Sequence, residues 1–178
     1  MARALLLDGP DGIPRDEARA RAMASDVLPS VRSLAIAGEA EAIFLMGTAY
    51  DEGLGVEIDA AEAARSYRRA AELGHVLAQH NLGNLYEAGR GVPKDDTRAV
   101  EWWRRAAEQG DTIPMFRLGA MYEAGRGVAR DVRQARDWYE KAAARGLARA
   151  RGARAPGRVT PRLSRHATRR QLPPPWQP

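Results

Sequence analysis

Residues 82–92 read Leu-Gly-Asn-Leu-Tyr-Glu-Ala-Gly-Arg-Gly-Val, and this stretch decides the fold because it recurs at one spacing. Thirty-six residues on, positions 118–128 read Leu-Gly-Ala-Met-Tyr-Glu-Ala-Gly-Arg-Gly-Val; thirty-six back, positions 46–56 read Met-Gly-Thr-Ala-Tyr-Asp-Glu-Gly-Leu-Gly-Val. Outward from it the same period holds without a gap. It carries Asp59, Asp95 and Asp131, then Ala63, Ala99 and Ala135, then the aromatics Tyr67, Trp103 and Tyr139. Paired alanines at 70–71, 106–107 and 142–143 and a glycine at 74, 110 and 146 close each unit. Self-similarity at such a period marks stacked supersecondary units, each too small to bury its apolar face alone.

One unit reads as two helices. Ala78, Leu82, Leu85 and Tyr86 recur at steps of three and four, one face of a first helix. Gly89 to Pro93 ends it, since glycine tolerates the left-handed turn and proline cannot continue a helix. Asp95 or Asp96 caps a second helix, which buries Ala99, Trp103, Ala106 and Ala107 before Gly110 turns the chain. A glycine inside the first helix costs about 1 kcal/mol relative to alanine. Gly47, Gly83 and Gly119 are explained if two helices approach closely there, with the aromatic of the second helix filling the space.

This unit resembles the Sel1-like repeat, a relative of the tetratricopeptide repeat, over residues 38–146. Residues 82–110 and 118–146 match most closely, and Met46 replaces leucine in the first unit. The resemblance implies an all-α fold, a right-handed α-α superhelix of about three helix-turn-helix repeats that holds other proteins together. The expected organisation is an N-terminal helical segment at 1–38 as a candidate cap, repeats at 39–74, 75–110 and 111–146, an incomplete unit at 147–151 and a tail at 152–178. Within the first segment Asp16–Ala24 and Asp26–Gly38 read as two helices. Leu34 and Ala35 fall in the paired-alanine columns and Gly38 in the closing-glycine column.

The net charge of +5 divides unevenly along the chain. Residues 1–150 carry 21 Lys or Arg against 23 Asp or Glu, whereas residues 151–178 carry seven Arg and no acid. The basic pI of about 10.1 therefore belongs to the tail. Rich in Arg and Pro and poor in apolar residues, the tail cannot offset its chain entropy and reads as disordered. No apolar run reaches signal-peptide or membrane-spanning length, which leads to the expectation of a cytoplasmic protein.

Little catalytic chemistry is visible. There is no cysteine, and only Lys94 and Lys141 are lysines. The Gly89–Lys94 segment lacks the Gly-Lys-Ser/Thr of a phosphate loop. His75 and His80 are five apart rather than four, so they do not share a helix face as metal ligands. His80 shares its column with Phe44 and Phe116 and reads as facing a groove or packing partly buried. Some cysteine-rich members of the wider family are linked with β-lactam binding, but without cysteine or any Ser-x-x-Lys that role does not carry over. The expectation is a non-enzyme with no metal, no cofactor and no small-molecule substrate.

Its function is then to bind a protein or peptide on the concave side, where first helices line the array. By likeness to tetratricopeptide repeats the lining positions are Phe44, Thr48 and Asp51; His80, Asn84 and Glu87; and Phe116, Ala120 and Glu123. The acids at 51, 87 and 123 form a row that suits a basic or amphipathic partner peptide, or equally the solvated end of each helix. A second reading places function in the tail, whose arginines would hold nucleic acid or an anionic membrane surface. A third makes the tail an out-of-frame extension with no selected role.

Overall fold

Each fixed column of the repeat has a local task. In the second unit the first helix stops where Gly89 takes φ 69°, in the left-handed region that side chains resist, and its N–H closes on the Leu85 carbonyl. The Asp95 N–H then bonds the Tyr86 carbonyl at 2.9 Å, which sets where the second helix begins. Asp95 caps that helix by accepting from the Arg98 N–H at 3.0 Å, while Asp96 is its first residue. Asp59 and Asp131 cap the equivalent helices, each through two backbone N–H groups.

The computed structural model describes residues 17–146, and among them the chain forms seven helices and no strand. These are α1 (Glu17–Ala37), α2 (Ala40–Glu52), α3 (Ala60–Glu72), α4 (Val76–Ala88), α5 (Asp96–Glu108), α6 (Thr112–Ala124) and α7 (Val132–Ala144). The main packing joins consecutive helices throughout, so the pairs α2/α3, α4/α5 and α6/α7 stack in chain order as a solenoid.

Within a pair, contact is closest at the helix glycine. A Cβ on Gly83 would stand 2.5 Å from Trp103 Cδ1, and one on Gly47 would stand 2.7 Å from Tyr67 Cδ1. Trp103 is 0% exposed, as are the flanking alanines at 63, 70, 99, 106, 135 and 142. Between pairs the second glycine of the turn makes the contact. A Cβ on Gly91 would lie 1.9 Å from the Ala60 carbonyl oxygen, so the turn of one unit rests on the start of the preceding second helix. Two arginines tie the same junctions. Arg68 donates to the Tyr86 hydroxyl at 2.9 Å, and Arg104 to the Tyr122 hydroxyl at 2.8 Å.

The N-terminal segment departs from the expected two helices: α1 is one helix of 21 residues with Pro29 inside it. The expected gap between Ala24 and Asp26 is closed because Ala24 and Leu28 pack into one cluster with Ala49 and Leu54, and past Pro29, whose ring removes one N–H donor, Val31 and Ala35 pack against the core. The end of α1 copies that of α3. Gly38 N–H bonds the Ala35 carbonyl and Glu39 N–H bonds Leu34, as Gly74 does with Ala71 and His75 with Ala70. Yet Val27 and Leu34 are 55% and 53% exposed, while Ala63 and Ala70, one period on, are at 0%. The difference is that no first helix pairs with α1 among the described residues. At the other end Arg136 is exposed in the column of Ala64 and Val100, which are buried under the following unit. The segments 147–151 and 152–178 lie outside the described residues, as does Asp16.

Candidate partner-binding surface

The nine residues picked as lining positions fall into three columns, and each column is partly engaged in holding the stack together. Phe44 is 4% exposed, its ring lying 5.7 Å from Tyr67 and stacked 4.4 Å from His75 of the next unit. His80, one period on, meets the next unit differently: its Nδ1 is 2.9 Å from Asp111 Oδ2, with 13% and 12% of the two side chains exposed. Phe116, half-buried, tilts against Tyr139 at 5.2 Å. Phe44 therefore serves the core rather than an open face, because the following unit covers it.

The second column serves the polar tips of the buried aromatics. Tyr67 donates to Thr48 Oγ1 at 3.3 Å, and Thr48, itself buried, donates to the Phe44 carbonyl at 3.3 Å. Burial pushes the Tyr67 phenol up to about 12. Trp103 Nε1 donates to Asn84 Oδ1 at 3.3 Å. Ala120 has no polar atom to offer and is exposed, so Tyr139 donates instead to Glu123 Oε2 at 2.8 Å. Burial and that carboxylate raise the Tyr139 phenol well above its ordinary value.

The row of acids is the third column, and its charge is largely spoken for. Asp51 lies 2.6 Å from Arg90, the arginine between the turn glycines of the next unit. Glu87 accepts from Arg117 at 2.9 Å and lies 3.6 Å from Arg126, which also binds Asp96. Asp51 and Glu87 clamp the stack and Glu123 holds Tyr139 of its own unit; the three do not form a bare acidic strip.

What stays open on the first helices lies one step around, and the sequence reading missed it. Leu45, Leu77 and Ile113 are 42%, 45% and 36% exposed. A shallow groove of about 370 Å³ runs between the starts of α4 and α6, lined by Val76, Leu77, His80, Asn81, Asp111 and Ile113. The groove lies where the Phe44 column meets the residue before the next first helix, 31 residues on, a contact that joins Phe44 to His75 and His80 to Asp111 and that the 36-residue period does not show. Among the described residues no group of three or more His, Asp or Glu could hold a metal ion, and no helix is long and apolar enough to cross a membrane.

Residues 1–25, 40–75, 76–111 and 115–147 match the sequence model of the Sel1 repeat. The chain belongs to the Sel1 repeat family. Among solved structures, a Sel1 repeat protein from Oxalobacter formigenes is similar with a TM-score of 0.62 at 41% identity, over 64% of this chain and 46% of its own. A protective antigen present in uropathogenic Escherichia coli strains, which displays an SLR fold, has a TM-score of 0.65 at 34% identity over 80% of this chain and 29% of its own. Helicobacter pylori cysteine rich protein B has a TM-score of 0.56 at 26% identity over 71% and 96% of the two chains. This chain thus spans less than half the length of the first two. No curated protein matches it significantly. With no cysteine at all, these Sel1 repeats rely on glycine–aromatic contacts and turn caps.

The match at 1–25 is a further Sel1-like stretch that the 36-residue period passes over. Gly12-Ile13-Pro14-Arg15-Asp16-Glu17 parallels Gly91-Val92-Pro93-Lys94-Asp95-Asp96 at an offset of 79, seven more than two periods. The helix that follows, α1, is longer than the 13 residues of each of the others.

Proposed function

We propose that this chain is a protein-interaction scaffold whose Sel1 repeats hold a partner protein or peptide along the outer side of α2, α4 and α6, the concave side of the superhelix. Sel1 repeats in general act in protein–protein interaction. The observation that carries the reading for this chain is a division of labour. The columns repeated in every unit are consumed by turns, caps and close packing, and the open side carries residues that differ from unit to unit. Leu45, Asn81 and Arg117 share one column, as do Glu41, Leu77 and Ile113. A surface that varies on a constant frame is how repeat proteins present specificity. Of the residues first picked, His80, Asn84, Glu87, Phe116, Ala120 and Glu123 border this surface, and Phe44 and Thr48 support it from beneath.

The test is photo-crosslinking in the native cell from single reactive residues placed at Leu45 or Ala120, compared with Arg133 on a second helix. Discrete adducts from the first-helix sites alone support the scaffold. Equal labelling from both sides, or none from the first helices, refutes it.

A further inference from the structure

The two junctions between complete units are built on the same plan but filled differently. At the first, the Phe44 ring stacks on His75 at 4.4 Å with the planes 19° apart. At the second, the same two columns hold His80 and Asp111, joined edge to edge by a 2.9 Å hydrogen bond. Two stacked rings have been replaced by one ring and a carboxylate, and the groove of about 370 Å³ lies at that place. Its rim is apolar, since Leu77 and Ile113 stand half-exposed on either side. Two of its three polar side chains, the third being Asn81, are fixed: Asp111 caps α6 by accepting from the Ile113 N–H at 3.0 Å and holds His80 through its second oxygen.

We propose that this groove is a docking pocket for one aromatic side chain on an extended, uncharged or basic segment of a partner protein. The inference rests on the scaffold reading and names the chemistry of the partner at one place on that surface. The first junction shows which shape completes the site: a flat ring lying on a flat ring, supplied there within the chain. At the second junction His80 offers the flat ring, and the partner supplies the other. Charge restricts the partner further. Asp111 is the only carboxylate in the lining, and an acidic side chain brought beside it would be repelled in a partly desolvated site. With Nδ1 engaged by Asp111, the remaining ring nitrogen of His80 is left to hydrogen-bond the peptide backbone, so the aromatic enters in one orientation.

The experiment titrates the ¹⁵N-labelled full chain with blocked pentapeptides Gly-Gly-X-Gly-Gly in which X is Phe, Ala or Glu. The Phe peptide should shift backbone resonances of 76–81 and 111–113, binding about tenfold to a hundredfold more tightly than the Ala peptide, the factor that one buried aromatic ring supplies. The Glu peptide should not bind. The double variant His80→Phe/Asp111→His rebuilds the first junction, with the new histidine able to cap α6 as His75 caps α4 through the Ala78 N–H. It should keep its helicity and lose the Phe peptide. Ile113→Ser, which removes one wall and spares the junction, should weaken binding if the double variant does not fold. Equal affinity for Phe and Ala, shifts mapping elsewhere, or binding retained by the rebuilt junction each overturns the pocket. Binding seen only after deletion of 152–178 makes the chain's own tail the occupant and overturns docking of a partner. If photo-adducts from the first helices persist in the rebuilt variant, the scaffold stands and the pocket falls.

Discussion

Replacing Gly83 with alanine sets two physical effects against each other. In a helix interior alanine is favoured by about 1 kcal/mol, so an uncrowded site would be stabilised. Here the added methyl would stand 2.5 Å from both Cδ1 and Nε1 of Trp103, well inside van der Waals contact. The indole cannot step aside freely, because it is 0% exposed and its Nε1 already reaches 3.3 Å to Asn84. Overpacking of this kind costs about 1–3 kcal/mol, and a clash with a rigid ring belongs at the upper end. The net expectation is a loss of about 2 kcal/mol, or roughly 4–8 °C in Tm for a chain of this size. Urea and thermal unfolding followed by circular dichroism read it directly. The control is Trp103→Leu, which makes room for the methyl. In that background Gly83→Ala should be neutral or stabilising, giving a coupling of about 2 kcal/mol in a double-mutant cycle. If Gly83→Ala raises stability by the same amount in both backgrounds, close helix approach is not the reason for the glycine.

Further outcomes follow from individual contacts. Asp95→Ala removes a cap and should cost about 1 kcal/mol in urea unfolding, and Asp96→Ala should cost less. The Asp131 carboxyl is held below its ordinary value by hydrogen bonds, first from the Gln134 N–H. Its contribution is present above the unfolded-state pKa and is lost as pH falls through the folded one, so Asp131→Asn should flatten the acid limb of a Tm–pH profile. Tyr67 has the opposite sense. Its folded value, raised from 10.0 to about 12, favours the neutral phenol, so its share of stability is lost between those pH values. An absorbance titration at alkaline pH should find two phenols, Tyr67 and Tyr139, ionising late or together with unfolding, and all five phenols ionising normally in the folded chain would contradict the burial. Leu34→Asp should leave thermal stability nearly unchanged, while Ala70→Asp, one period on and fully buried, should unfold the array.

How far the site was legible depends on which kind of contact each residue makes. Gly83 and Trp103 are twenty residues apart within one unit, and a costly glycine opposite an invariant aromatic column is a sequence-level sign of close packing. Phe44 and His75 belong to different units, and nothing in the 36-residue period says that the residue before one helix will lie on the fifth residue of the preceding first helix. The acids at 51, 87 and 123 show the same limit. As a row they suggested a basic or amphipathic ligand, but the arginines that take up Asp51 and Glu87, Arg90 in the next unit's turn and Arg117 on the next unit's first helix, are brought near by stacking. Between Ala24 and Asp26 the sequence reading divided the N-terminal segment, whereas the chain runs through as one helix because Ala24 and Leu28, on either side of that gap, pack into one cluster with Ala49 and Leu54.

By itself, then, the amino-acid sequence determined the repeated helices, their caps and the pairing within each unit, because those rest on contacts inside one 36-residue unit that recur at one period. Only the tertiary structure decided which faces are covered when one unit lies on the next. That depends on how large the side chains are that meet across a junction, where Phe44 and His75 fill a space that His80 and Asp111 leave open.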